Sequence, residues 1–172
     1  MIMPWTIVPI GPWAEIGSFN CGQPSLNSFL KRHAVPNDIS DFGRTFVATE
    51  TGQPLVAGYV TLAAGAVKPE HFPDHGVRRM PRYPIPTIHV GRLAVDLRFQ
   101  ERGLGKLLLV HAIVLATTTS LTMGVNAIDL VALDERAKSF YLKFGFKEFL
   151  DDGMHLFMPI ESARRLVQSM GI

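Results

Sequence analysis

The chain has 172 residues, 47% of them hydrophobic and 19% charged, with a formal net charge of +2. These values exclude a disordered polyelectrolyte, predict one domain over 1–172 with a sizeable core, and make no global demand for a nucleic-acid partner. The single cysteine, Cys21, excludes an internal disulfide and fits a reducing cytosol. The start, MIMPWTIVPIGPW, has no cationic segment and three prolines, so it does not read as a signal peptide. No apolar run reaches the ~18–20 residues of a membrane span. The expectation is a soluble, cytoplasmic protein with no membrane partner.

In chain order, TIVPI (6–10) is a short strand. QPSLNSFLKRHA (23–34) is a helix, because Pro24 suits a first turn and Leu26, Phe29, Leu30 and His33 share a face; Pro36 helps to end it. RTFVATE (44–50) and LVAGYVTLAAGAV (55–67) read as a hairpin around TGQP. Residues 68–86 hold five prolines and form a long loop of the kind that carries function. TIHVGRLAVD (87–96) is the central strand, and Gly91 inside it marks a bulge or a close backbone approach. A helix follows over 103–117, with Leu104, Leu107, Leu108, Ala112 and Leu115 on its stripe. AIDLVALD (127–134) is a buried strand, and ERAKSFYLKFG (135–145) is a helix closed by Gly145. FKEFLDDGMHLFMPI (146–160) gives strand, turn and strand, and ESARRLVQSM (161–170) a last helix. This order predicts an α/β fold, a mixed sheet with helices on its faces.

QERGLG (100–105) stands between the central strand and the long helix. It is not a P-loop, since Lys106 follows a G-x-G, and a third dinucleotide glycine would fall at Leu108. The physics still points to an anion. Glycines let the N–H groups of residues 102–106 approach a phosphate, the helix N-terminus adds a favourable dipole, and Arg102 and Lys106 add charge. A plain turn before a helix is the competing reading.

The string HVGRLAVDLRFQERGLGKLLLVHA resembles the Gcn5-related N-acetyltransferase (GNAT) superfamily, whose acyl-CoA motif [QR]-x-x-G-x-[GA] is matched by Gln100, Gly103 and Gly105. The resemblance implies a single GNAT domain with a mixed, mostly antiparallel sheet flanked by helices. It implies that Gln100, Glu101, Arg102, Gly103, Leu104, Gly105 and Lys106 hold the pyrophosphate of acetyl-CoA. It implies too that backbone groups at Leu93, Ala94 and Val95 bind the pantetheine arm as an added strand would. ALDERAKSFYLKFGF (132–146) resembles the second signature of the family, in which a tyrosine near the CoA sulfur protonates the leaving thiolate; Tyr141 matches it. A phenol with an ordinary pKa near ~10 stays protonated at neutral pH and suits that task. The alternative is that Tyr141 is an apolar rung beside Phe140 and Phe144. Asp134, grouped with the cofactor residues, stands where many members have Asn. A backbone N–H freed at the strand bulge could hold the oxyanion.

FNCGQPSLNSFLKRHA, RTFVATE, GYVTLAAGAV, PIPTIHVGRLAVD and ALDERAKSFYLKFGF together resemble the acetyltransferase toxins of type II toxin–antitoxin systems. The resemblance implies acetylation of the α-amine of an aminoacyl-tRNA, which blocks translation. It also implies a ribbon-helix-helix antitoxin, operator DNA bound only through that antitoxin, and a homodimer. No general base stands out in the strands, which suits an α-amine (pKa ~8) better than a lysine acceptor (~10.4). Arg78, Arg79 and Arg82, beside Met80, Pro81 and Tyr83, could contact phosphates and stack on a base. Lys31, Arg32 and Arg92 belong to the same basic set; a solvated basic loop is the alternative.

His71 and His75 are four apart, but Pro73 between them argues against a helical zinc pair, and no metal is expected. His111 falls on or near the core stripe. Cys21, next to Gly22 and the first helix, could have a lowered pKa but lacks a partner base. Trp5 and Trp13 read as packing. Two other functions stay open on the residues alone. One is an N-acetyltransferase for a small amine or a protein N-terminus; the other is a CoA-binding regulatory module without turnover.

Overall fold

A computed structural model of the chain describes residues 4–73 and 80–172. Among these residues, seven strands form one mixed sheet: β1 (Trp5–Pro9), β2 (Arg44–Glu50), β3 (Val56–Val67), β4 (Ile85–Val95), β5 (Ala127–Val131), β6 (Lys147–Glu148) and β7 (His155–Pro159). Their order is β1-β2-β3-β4-β5-β7-β6. The described residues also form five α-helices that flank it: α1 (Pro24–Arg32), α2 (Ala34–Ile39), α3 (Leu104–Thr119), α4 (Glu135–Lys143) and α5 (Ile160–Ser169). This is the expected α/β architecture. The backbone divides into two compact units, Met1–Ala63 with Gly91–Ala112, and Ala64–Val90 with Ile113–Ile172.

In the first unit, β1 and β2 pair antiparallel from Trp5 opposite Glu50 to Pro9 opposite Phe46. β2 and β3 form the expected hairpin, with a shift in register between Ala48 and Thr49. The core gathers Phe19, Phe29, Leu30, Val47, Val56 and Tyr59. Tyr59 shows how a polar tip is buried without loss: its ring stacks on Phe29 at 6.1 Å, and its hydroxyl donates to the Leu26 carbonyl at 2.8 Å.

In the second unit, β4 and β5 run parallel, with Thr87 opposite Ala127 through to Val90 opposite Leu130. A strand covered on both faces reads as a continuous buried run, and Ala127–Leu130 are all buried. β7 pairs antiparallel with both β5 and β6. The rings of Phe72, Phe149 and Phe157 lie 4.6–5.2 Å apart and pack with Val67, Ile85 and Ala127. Phe72 thus ties the chain just after β3 to the sheet, following a single 3-10 turn at Pro69–His71.

The structure departs from the sequence reading at four places. Pro36 does not end the first helical region; it is the third residue of α2, where its missing N–H has no intrahelical partner to lose. β4 starts at Ile85 rather than at 87, with exposed Pro86 near its end. β5 stops at Val131 rather than at 134, because Asp134 begins the next helix. The buried side of α3 is Leu104, Leu108, Leu109, Ala112, Ile113 and Ala116, with Leu107 and Leu115 only half-buried. That helix is apolar on most sides, so periodicity does not pick out its inward face. No described helix is long and apolar enough to cross a membrane.

Candidate active site

The glycine loop is held from behind. β4 leads into Asp96, which is 1% exposed. Its carboxylate accepts from the backbone N–H of Asn20 (3.0 Å), the backbone N–H of Arg98 (2.9 Å) and Arg98 Nε (2.9 Å). Burial pushes this carboxyl up, but the hydrogen bonds from Arg98 and Asn20 outweigh it and hold the group below its ordinary value. After one 3-10 turn at Leu97–Phe99, the Gln100 amide donates to the Val95 carbonyl (2.9 Å) and the Cys21 carbonyl (3.3 Å). Gln100 therefore anchors the loop to the end of β4, and its side chain is committed to backbone.

Glu101 (φ 64) and Gly103 (φ 78) then take left-handed backbone, and α3 starts at Leu104. A Cβ added at Gly103 would meet nothing within 4 Å, so this backbone faces open space. The first N–H groups of α3 have no intrahelical acceptor, and the helix dipole favours an anion there. Arg102 and Lys106 are exposed, while Leu104 is buried and Gly105 half-buried. These residues fit a phosphate or pyrophosphate. Of the three expected pantetheine positions, Ala94 is buried and Leu93 and Val95 are half-buried; the Val95 carbonyl already serves Gln100.

Tyr141 lies on α4. Asp134 caps that helix, its Oδ1 accepting from the Ala137 N–H at 2.8 Å, so its side chain has a local task that Asn performs as well. Gly145 (φ 102) closes the helix as expected, its N–H donating to the Leu142 carbonyl at 3.0 Å. Tyr141 is buried, edge-on to Phe140 and Phe146. Burial pushes its phenol up to about 12, so it holds its proton at neutral pH.

Among the basic residues, Lys31 and Arg32 are exposed in the last turn of α1. The exposed Arg92 places its guanidinium 3.7 Å from the ring centre of Phe29, on that same helix. These three cations therefore share one region of the first unit. Arg82 and Tyr83 are exposed in the second. Arg78, Arg79 and His75 lie outside the described residues. The reading of Cys21 is corrected: the thiol is buried, and burial raises its pKa rather than lowering it.

One polar cluster escaped the sequence reading. Buried Asp129 accepts at Oδ1 from Thr87 Oγ1 (2.7 Å), and at Oδ2 from His89 Nδ1 (3.0 Å) and His155 Nε2 (2.9 Å). The available signal was an aspartate inside the apolar run AIDLV.

The Acetyltransferase (GNAT) domain family matches residues 41–148, a span that holds both the glycine loop and Tyr141. The chain belongs to the GNAT acetyltransferase family. As a GNAT enzyme it is an acetyltransferase that takes acetyl-CoA as donor. It is 37% identical over 153 residues to a tRNA-acetylating toxin of Mycobacterium tuberculosis, covering 89% of this chain and 90% of that protein. Among solved structures, a tyrosine-to-phenylalanine mutant of KacT aligns with TM-score 0.89 and 27% identity, over 95% of this chain and 99% of that one. AtaT complexed with acetyl-methionyl-tRNAfMet aligns with TM-score 0.88 and 28% identity, over the same shares. Related AtaT structures hold acetyl-CoA, the C-terminus of the antitoxin AtaR, or DNA in the AtaT–AtaR complex.

Proposed function

We propose that this GNAT enzyme is the toxin of a toxin–antitoxin pair and that it moves acetyl from acetyl-CoA to the α-amine of the amino acid on a charged tRNA. The product has no free amine, so it cannot extend a peptide, and translation stops. The observation that carries this reading is the likeness to the tRNA-acetylating toxin along nearly the whole of both chains.

The roles of the residues follow. Backbone N–H groups from Arg102 to Lys106, with the charges of Arg102 and Lys106, bind the pyrophosphate, and Gln100 braces the loop. Glu101 supplies backbone only, in the turn that its left-handed conformation makes. Leu93, Ala94 and Val95 receive the pantetheine arm. Asp134 serves by fixing the start of α4. The attacking amine forms the C–N bond, the C–S bond breaks, and Tyr141 gives its proton to the thiolate. Lys31, Arg32, Arg92 and Arg82 bind tRNA phosphates, as do Arg78 and Arg79 on the reading of the sequence. The whole of 1–172 acts as one catalytic domain in the cytoplasm. It works as a homodimer, silenced by a ribbon-helix-helix antitoxin that carries it to operator DNA.

The test is transfer of labelled acetyl from acetyl-CoA into total charged tRNA, with uncharged tRNA as control. Label on charged tRNA only is the expected result. Label on neither, with acetyl-CoA still bound, overturns the acceptor and moves the assignment to a small amine or a protein N-terminus.

A further inference from the structure

We propose that His89, oriented by Asp129, is the base that takes the proton from the α-ammonium group of the acceptor. This role rests on the aminoacyl-tRNA reading above.

An α-amine attacks only as the free base; its ordinary pKa is ~8 and the aminoacyl ester lowers it, so at neutral pH a protonated fraction still has to lose a proton before it can attack. Tyr141 does not fill the role, because its phenol is pushed up to about 12 and keeps its own proton. The sequence offered no carboxylate for the task. The folded chain offers an imidazole on a carboxylate.

Asp129 sits mid-strand in β5, between the fully buried Ile128 and Leu130. An ionised carboxylate there is costly unless it is well bonded. It has three donors from two neighbouring strands: Thr87 and His89 of β4, and His155 of β7. Burial raises its pKa, yet the bonds from His89, His155 and Thr87 outweigh that and keep it low, so it is an anion at neutral pH. Register makes the pair reproducible, since His89 stands directly opposite Asp129 in the parallel ladder.

The two histidines differ in what remains to them. His155 is engaged at both nitrogens, with Asp129 at Nε2 and with Asp151 at Nδ1 (3.2 Å), and its side chain is 15% exposed. Among the described residues His89 gives only Nδ1–H, to Asp129, and its side chain is 36% exposed. That bond fixes the tautomer and puts the lone pair on Nε2. Gly65 of β3 is part of the design. A Cβ there would come 2.6 Å from Thr87 Oγ1 and 3.1 Å from His89 Cβ, so any larger residue would push the dyad out of place. Among the described residues, the further titratable groups linked to it through His155 are Asp151 and His71, whose Nδ1 is 3.7 Å from Asp151 Oδ2.

The protons balance. His89 Nε2 takes one proton from the ammonium and later yields it to solvent. The free amine adds to the thioester carbon, the C–S bond breaks, and the sulfur receives the proton of Tyr141. The second proton lost by the new amide nitrogen restores Tyr141 through solvent.

The experiment compares wild type with His89→Gln in labelled transfer to charged tRNA from pH 6 to 9. His89→Gln is expected to lower kcat/KM about a hundredfold near neutral pH. The deficit should shrink as rising pH deprotonates the acceptor, and the acetyl-CoA affinity should stay the same, while the melting temperature falls modestly with the weakened bond to Asp129. Asp129→Asn should give a similar profile if it folds; if it does not, His89→Gln decides alone. Wild-type rates and an unchanged pH profile in His89→Gln overturn the base. A wild type that labels no charged tRNA overturns instead the acceptor, and with it any role for His89 toward that acceptor.

Discussion

Gly103→Ala separates the cost of backbone strain from the cost of a blocked site. At φ 78, Gly103 occupies left-handed backbone, where an L side chain costs roughly 1–2 kcal/mol. The lower entropy of an unfolded chain with Ala gives back about 0.4–1 kcal/mol, leaving a net loss near 1 kcal/mol. For a chain of this length that lowers the melting temperature by about 2–4 °C. Gly52, in the turn after β2, provides a matched control. It has φ 81, and a Cβ there also meets nothing within 4 Å. Both alanine variants should therefore fold and melt within a few degrees of wild type. Only Gly103→Ala places a methyl where the proposed loop would take the pyrophosphate against its backbone. We expect its acetyl-CoA Kd, measured by titration calorimetry, to rise at least tenfold, about 1.4 kcal/mol. The Gly52→Ala value should match wild type. Equal affinity in the two variants would falsify the phosphate-loop assignment.

Tyr141→Phe should keep acetyl-CoA affinity and lose kcat by about 10²-fold or more, read in steady-state transfer assays; an unchanged kcat removes the acid role. His111 Nε2 is buried without a hydrogen-bond partner among the described residues, and burial lowers the pKa of the ring. The folded state therefore prefers the neutral form, and stability is fully present above ~6.5 and falls as pH drops through the lower folded value. His111→Leu should remove that slope in melting curves and stabilise the protein by about 1 kcal/mol; an unaltered slope refutes this. The lowered carboxyl of Asp96 works at more acid pH, with stability present above ~3.9 and lost below it. Asp96→Asn should flatten that part of the melting curve and weaken acetyl-CoA binding by loosening the loop, which calorimetry can check. Replacing Lys31 and Arg32 by Ala should weaken tRNA binding and make its dependence on log salt shallower by about one per lost phosphate contact. An unchanged slope takes those residues out of the interface.

Local signals carried most of the fold. Turn residues at TGQP and Gly145, and the two strands read over 44–50 and 55–67, appear in the structure within a residue or two. Elements failed where a local rule has a positional exception, as with Pro36 inside the first turn of α2, or where apolar residues surround a helix, as in α3. The turn from Gln100 into α3 was legible because glycines at fixed spacing mark it, and Gly103 does take left-handed backbone there. What Gln100 holds was not, since its acceptors, the carbonyls of Val95 and Cys21, include one 79 residues away. The cluster of Asp129, His89 and His155 was hidden for the same reason. Three strands far apart in sequence must pair before those side chains share an oxygen.

The most direct test of the account isolates the product bond. Charged tRNA is incubated with the enzyme and acetyl-CoA, digested with nuclease, and the 3′-terminal aminoacyl-adenosine is analysed by mass spectrometry. The expected product is an aminoacyl-adenosine bearing one acetyl group on its α-nitrogen, formed at an initial rate about 10²-fold lower when Tyr141→Phe replaces wild type. Unmodified aminoacyl-adenosine from an enzyme that binds acetyl-CoA with full affinity would contradict the account.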